Sequence, residues 1–270
     1  MIYDCFSYLD EDLLLNLRLN ILNKYVDYFV IVEGNRTWQN NPKELKFDIK
    51  KYEKFKDKII YIKVTDLPDG RDPYLRENHQ RNSILKGLIN SKDQDIIIIS
   101  DLDEIPNPEV FKNFKKEMRF AVFKQKHFYY KFNLQSKNNP HWLGSRICLK
   151  KYLISPQWLR DLKFKKRPFW RLDKFRLNNI IENGGWHFCN LKKPESLLYK
   201  YKNLCETDDP IHFKEKIDEK YLNIEEIKKR INEGQDIIGR KDNFIKVNLD
   251  NSFPKFLINN QSIYSDWLIL

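Results

Sequence analysis

Four consecutive isoleucines, Ile96 to Ile99, run through Ser100 into carboxylates at Asp101, Asp103 and Glu104, and this junction constrains the fold more than any other part of the chain. A short all-β-branched run fits a strand covered on both faces, as inside a parallel sheet flanked by helices. Open α/β sheets bind ligands just beyond the carboxyl ends of their strands, so the acids stand where a ligand is expected. Two aspartates spaced i, i+2 point to opposite sides of a continuing strand but converge on one cation if the chain turns, and Pro106 and Pro108 favour a turn. Hard cations such as Mg2+ and Mn2+ take oxygen ligands and reach a protein through one or two carboxylates, with phosphates and water completing the shell. The junction is therefore a candidate cation and phosphate site.

The preceding segments follow the same pattern. Leu13, Leu14, Leu17, Ile21 and Leu22 recur at helical spacing behind the acidic start Asp10-Glu11-Asp12, which suits a helix N-terminus. A strand is expected over Tyr28 to Glu33, ending at Gly34, and another over Ile59 to Val64, followed by Asp66 and the turn Pro68-Asp69-Gly70. A helix over Glu77 to Leu88 then leads into the isoleucine strand. Strand, connection, strand, helix, strand implies an α/β fold with a mainly parallel sheet. Glu33, Asp66 and Asp101 each end a strand, so three strands present acids at one sheet edge.

After Asp103 the pattern changes. Arg119 to Phe123 and Phe128 to Phe132 are aromatic, alternating segments expected as antiparallel additions. Gly184 and Gly185 precede Trp186 and His187, and paired glycines allow unusual backbone angles or a close approach. Asn223, with Glu226 at the capping-box position, starts a helix through Ile224, Ile227 and Ile231 to Gly234.

The 270 residues can bury a large core, and no Gly/Ser-rich or Pro-rich linker or internal repeat divides them, so a single unit is expected. Residues 1–10 lack the basic and apolar regions of a signal peptide, and no apolar run approaches the ~20 residues that span a bilayer; a cytoplasmic location is expected. Cys5, Cys148, Cys189 and Cys205 form no C-x-x-C pair and read as reduced thiols. Asn35-Arg36-Thr37 and Asn260-Gln261-Ser262 match a glycosylation sequon by chance on that reading. The net charge of +11 spreads along the whole chain. Its densest tract, 163–176, interleaves Lys163, Lys165, Lys166 and Arg167 with Phe164, Phe169 and Trp170, which suits peripheral contact with anionic lipid at the inner membrane face, or a solvated face.

Taken together, Ile2 to Phe6, Phe29 to Glu33 with Asn35 and Thr37, Gln80-Arg81-Asn82, Ser100 to Pro106, and Gly184 to Phe188 resemble, in order, the successive blocks of glycosyltransferase family 17, typified by a β-1,4-mannosyl-glycoprotein N-acetylglucosaminyltransferase. The resemblance covers roughly residues 2–240. It implies a GT-A-like fold, with 1–106 as a nucleotide-sugar-binding half and 107–270 as an acceptor-side half with C-terminal helices. It also implies inverting transfer of GlcNAc from UDP-GlcNAc. Asp101 and Asp103 match the family's D-x-D motif, Asp103 as the direct metal ligand and Asp101 nearer the ribose or a metal-bound water. His187 falls in the block where many GT-A enzymes supply a further ligand. Cys189 stands where the family usually has Ser, and the animal members' membrane anchor has no counterpart at the start of this sequence. The expected acceptor is accordingly a surface polysaccharide or a lipid-linked glycan.

A cation bridging a nucleotide sugar's diphosphate stabilises the charge that develops on the leaving group. If His187 also ligates, Mn2+ is favoured over Mg2+, since imidazole suits the softer ion. An inverting transfer needs a carboxylate to take the acceptor's proton; Glu182 is the first candidate, then Glu104, with Asp161 a third. Arg81 is placed to reach a phosphate or to pair with Glu33 or Asp66, and those two acids are candidates for uracil or ribose. Trp38, Trp142, Trp158 and Trp186 can stack on sugars or fill core. Two rival readings are a HAD-like phosphatase using Asp101 and Asp103, and a basic nucleic-acid-binding protein. The first motif normally opens its fold rather than lying near residue 100, and the second leaves the ordered acids unexplained.

Overall fold

A computed structural model describes residues 1–163, 179–201 and 219–269. Ten strands join one sheet: β1 (Ile2–Ser7), β2 (Tyr28–Gly34), β3 (Ile59–Val64), β4 (Ile96–Asp101), β5 (Glu104–Pro106), β6 (Phe120–Tyr129), β7 (Leu134–Ser136), β8 (His141–Leu149), β9 (Ile180–Cys189) and β10 (Phe244–Lys246). The helices are α1 (Asp12–Leu22), α2 (Pro73–Asn82), α3 (Ile84–Gly87), α4 (Pro156–Asp161), α5 (Pro194–Tyr201), α6 (Ile224–Asn232) and α7 (Lys255–Asn259).

The first four long strands are parallel, in the order β3-β2-β1-β4. Their period-two alternation divides the core. Phe6, Phe29, Ile31 and Ile98 face a layer that includes Leu14, Leu15 and Leu22 of α1 and Leu257 of α7, whereas Cys5, Val30, Val32, Ile97 and Ile99 face Ile84, Leu88 and Leu159. Burial on both faces is why the isoleucine run has no polar alternation. The chain leaves β1 for β2 and β3 on one side and returns to β4 on the other. The sheet therefore has a topological switch point at the carboxyl ends of β1 and β4, where doubly wound sheets open a crevice.

Beyond β4 the sheet continues through β8, antiparallel to β4, and then β6, antiparallel to β8. The two aromatic segments expected around 119–132 form one ten-residue strand, β6, with Tyr130 in the left-handed region just past its end. The Gly184-Gly185 segment lies inside β9, which runs parallel to β6 and antiparallel to β5. The expected helix over 77–88 starts earlier, at Pro73 capped by Asp72, and breaks at Ser83, whose hydroxyl turns back to the His79 carbonyl. The Asn223 cap forms as expected, its side chain accepting from Glu226 N at 2.8 Å. Helices α5 and α6 close a third apolar cluster with Tyr129, Tyr130 and Phe244.

Among the described residues no helix is long and apolar enough to cross a membrane. The basic-aromatic tract, apart from Lys163, and Cys205 lie outside the described residues. Cys5 and Cys148 are buried free thiols, and Cys189 is half-buried.

Candidate active site

A cleft of about 370 Å3 opens at the switch point. Its walls come from Ser7 to Leu9 at the end of β1, Asp101 to Glu104 at the end of β4, Glu77 and Gln80 of α2, His127 on β6, Trp142 on β8, His187 and Cys189 to Lys192 at the end of β9, and Lys200 on α5. Both halves of the chain therefore contribute to it.

The turn that carries the acids falls at Leu102 and Asp103, before Pro106, and a buried arginine shapes it. Arg18 of α1 is fully buried and clamps Asp4 of β1 with Nε–Oδ2 and Nη2–Oδ1 distances of 2.7 and 2.5 Å. Its Nη1 donates to the carbonyls of Asp101, Leu102 and Glu104 at 3.1, 3.1 and 2.8 Å, and Nη2 also reaches Ser100 Oγ at 2.9 Å. One guanidinium thus fixes the path of the acidic loop. Arg18 lies four residues from both Leu14 and Leu22, inside the apolar stripe of α1, and a charge so placed needs partners; that was the available sequence signal.

The three acids of the loop have different environments. Glu104, 1% exposed, accepts from Arg160 Nη1 at 2.6 Å and Nη2 at 3.0 Å, from Trp142 Nε1 at 2.7 Å and from the Asp101 amide at 3.2 Å. With those acceptor positions filled, it supports the site rather than offering a free base. Asp101 takes Arg160 on one oxygen at 2.8 Å and Arg81 on the other at 3.2 Å. Packing around Asp101 raises its carboxyl pKa, but the Arg160 and Arg81 guanidiniums outweigh that and hold it well below the usual carboxylate range. Arg81 therefore pairs with Asp101 and with Glu77, at 2.6 Å, rather than with Glu33 or Asp66. Asp103 turns the other way. Its Oδ2 lies 3.5 Å from His187 Nε2. Burial raises the Asp103 carboxyl, but the neighbouring imidazole brings it below its ordinary value; burial opposes charge on His187, and Asp103 overcomes this to raise its pKa well above the ordinary value.

Arg81 and four expected acids are not in the cleft lining. Glu33 is fully buried and holds the 43–47 loop, accepting from Lys43 Nζ (2.6 Å), Lys46 N (2.7 Å), Phe47 N (3.1 Å) and Tyr61 OH (2.8 Å). Asp66 sits at the outer end of the edge strand β3, exposed, near His79 and Lys86. Glu182 is exposed, pairs with Lys124 at 3.0 Å and faces a separate groove of about 890 Å3 lined by Lys124, Lys126 and Trp186. Parallel strand ends share an edge, but side-chain direction decides which acids meet. Asp161 accepts from Gln157 on α4 and also lies outside the cleft lining. Of the tryptophans, Trp38 and Trp142 line the cleft, Trp158 packs on Phe120, and Trp186 is buried with its indole donating to Ser252 O.

Several cleft residues carried no sequence expectation. His127 pairs in register with His187 across β6 and β9, and their rings stack at 4.7 Å. Burial, then the charge of His187, pushes the His127 pKa down to about 3, so it is a neutral imidazole. Lys200 bonds Asn190 Oδ1 at 3.0 Å; burial lowers its pKa, but the neighbouring Cys189, Asp103 and Glu11 raise it overall, so it stays charged. Arg240, paired with Asp236 at 2.8 Å, supplies a second cation. An acidic corner and a basic wall thus face one cavity.

A divalent cation fits this corner on the chemistry of its donors: Asp103 and His187 offer an oxygen and a nitrogen 3.5 Å apart, a set suited to Mn2+ or Zn2+.

Residues 1–243 match the family model described as Glycosyltransferase family 17. The β-1,4-mannosyl-glycoprotein 4-β-N-acetylglucosaminyltransferases of Homo sapiens and Rattus norvegicus are each 25% identical over 226 residues, covering 73% of this chain and 42% and 41% of their own length. The chain thus spans about two-fifths of the length of these curated relatives. Among solved structures, S. aureus TarS 1–349 aligns with a TM-score of 0.37 and 13% identity over 74% of this chain and 63% of that one.

Proposed function

The chain belongs to glycosyltransferase family 17, and from that premise we propose that the switch-point cleft binds a UDP-sugar, UDP-GlcNAc first among them, and transfers its sugar with inversion to a hydroxyl of a surface polysaccharide or lipid-linked glycan. The observation that carries the reading is the pairing of an acidic corner, Asp103 with His187, and a basic wall, Lys200 with Arg240, within one cleft. A nucleotide sugar's diphosphate needs both: cationic side chains to hold its oxygens and a site for a counter-ion. GlcNAc is named on the strength of what the relatives are called, and the UDP carrier and the acceptor on the sequence alone.

Asp103 and His187 would hold a divalent cation, Mn2+ before Mg2+, which when bound supplies charge neutralisation to the leaving diphosphate. The rest falls to the chain's own residues. Lys200 and Arg240 orient the diphosphate. Trp142, 41% exposed at the mouth, offers an aromatic face to a sugar, its indole held by Glu104. Arg160, tied to Asp101 and Glu104, keeps the acidic loop rigid, and Arg81 supports Asp101 from behind. For the acceptor's proton we assign Glu77, which lines the cleft and gives Oε1 to Arg81, in place of Glu104 and Glu182. Cytoplasmic placement belongs to the same proposal, as does membrane contact through 163–176, which rests on the composition of that tract.

The test is release of nucleoside diphosphate from UDP-GlcNAc, UDP-Gal, UDP-Glc and GDP-Man in the presence of Mn2+ and a mixed glycan acceptor. Turnover of a UDP-sugar that falls at least about a hundredfold in Glu77→Gln with KM little changed supports the assignment. Preferred use of GDP-Man contradicts the UDP reading.

A further inference from the structure

We propose that His127 and Cys189 join His187 in a three-donor site for a borderline-soft divalent cation of the zinc class, set in the wall of the cleft. Strand geometry brings the three together. His127 and His187 are register partners on parallel strands, so their side chains leave the sheet on one face, and Cys189, two residues on, shares it. One ligand atom from each lies within 4.8 Å of the others.

The hydrogen bonding of the two imidazoles is that of metal ligands. His127, 3% exposed, has Nδ1 3.2 Å from the Asn139 carbonyl; a ring N–H donated there leaves Nε2 as the lone-pair nitrogen, and Nε2 is buried with no hydrogen-bond partner. His187, 8% exposed, has Nε2 beside Asp103; its Nδ1 is buried with no hydrogen bond of good geometry, and the Cys189 thiol is close enough to act on the ring. Each ring is thus anchored at one nitrogen by a carbonyl or carboxylate and presents the other. Ligating histidines are held this way, and an unanswered buried nitrogen is costly enough to need a reason. Cys189 adds a half-buried thiol to the same wall of the cleft.

Two imidazoles and a thiolate select Zn2+ over Mg2+, which prefers oxygen. Bond lengths near 2.0–2.3 Å place tetrahedral donors roughly 3.3–3.8 Å apart, so binding closes the 4.8 Å spacing by tilting one ring out of the parallel stack. Three protein donors leave a fourth position open toward the cleft.

This site lies beside the Asp103–His187 corner and takes His187 through Nδ1 rather than Nε2, so it goes beyond the transferase reading, and its test needs no turnover. The protein, stripped with EDTA and kept reduced with a phosphine, is titrated with Co2+ and followed by absorption. The expected result is a near-ultraviolet thiolate-to-cobalt charge-transfer band that saturates at one-to-one stoichiometry, is abolished by Zn2+ and is indifferent to excess Mg2+. The band disappears in Cys189→Ser, and Co2+ affinity drops at least about tenfold in His127→Phe, with thermal melts checking that both variants fold. If Cys189→Ser does not fold, methylation of the wild-type thiols serves instead, with mass spectrometry reporting which thiols Co2+ protects; Cys189 must be among them. No charge-transfer band, or a band that survives loss of Cys189, overturns the site. An absent band together with metal-dependent binding of UDP-GlcNAc leaves the transferase reading standing, whereas a Cys189-dependent band with no nucleotide-sugar binding does the reverse.

Discussion

Arg160 decides what the acidic loop can do. By tying both Glu104 oxygens and one Asp101 oxygen, it turns two of the three acids into scaffold and leaves Asp103 as the acid that meets a histidine. The partner histidines make opposite contributions to stability. His127 has a folded pKa of about 3 against an ordinary value of 6.5, so between those values the unfolded chain binds the extra proton and stability falls as pH drops; above about 6.5 the contribution is flat. The raised pKa of His187 gives stability that is complete below 6.5 and is lost only as pH rises through its folded value, outside this window. Denaturant unfolding in EDTA from about pH 4.5 to 6.5 should show His127→Phe flattening the wild-type slope by about 1.4 kcal/mol per pH unit, the effect of one proton. An unchanged slope would mean that His127 titrates normally. The acids were legible in the sequence because a strand end followed by carboxylates has few readings. Their counter-ions were not. Arg160 is 56 residues from Glu104 in sequence, and His127 sits in an alternating strand that looks like any other.

At the scale of elements, β9 holds the site together. It lies between β5, which carries Glu104, and β6, which carries His127, and both contacts need glycine. A Cβ on Gly185 would lie 2.2 Å from the Ile105 carbonyl oxygen and 2.6 Å from Asn107 N, and its φ of +126° is strained for any L side chain; a Cβ on Gly184 would lie 2.6 Å from Lys124 N. The paired glycines therefore serve a backbone approach, the close-contact alternative that the sequence allowed, with strand rather than ligand as the neighbour. Gly185→Ala should cost about 2–4 kcal/mol by denaturant unfolding, against about 1–2 kcal/mol for Gly70→Ala, where φ is +122° but the space is open. Equal costs would assign the whole effect to φ. Strands β2, β3 and β4 were readable as apolar runs. β9 was not, because Asn183, Gly184 and Gly185 interrupt any strand pattern, and the Asn183 φ of 52° introduces the irregularity directly.

Across the whole molecule, the strand order 3-2-1-4 creates the cleft before any side chain is considered, and the antiparallel extension then brings His127, Trp142 and His187 over it. The α/β class was legible from the alternation of elements. Which edge acids reach the cleft was not, because Glu33 turns inward to Lys43 and Tyr61 while Asp66 hangs on the outermost parallel strand. Family membership displaces the phosphatase and nucleic-acid readings, and the overall charge needs neither. The central claim is that Asp103 and His187 mark the place where a nucleotide sugar's diphosphate is held. The most direct measurement is calorimetric titration of UDP-GlcNAc into wild-type protein and Asp103→Asn, each with Mn2+ and with EDTA. The account predicts binding by the wild type that requires the cation and weakens at least about tenfold in the variant. Equal binding by both proteins, or binding indifferent to EDTA, would contradict it.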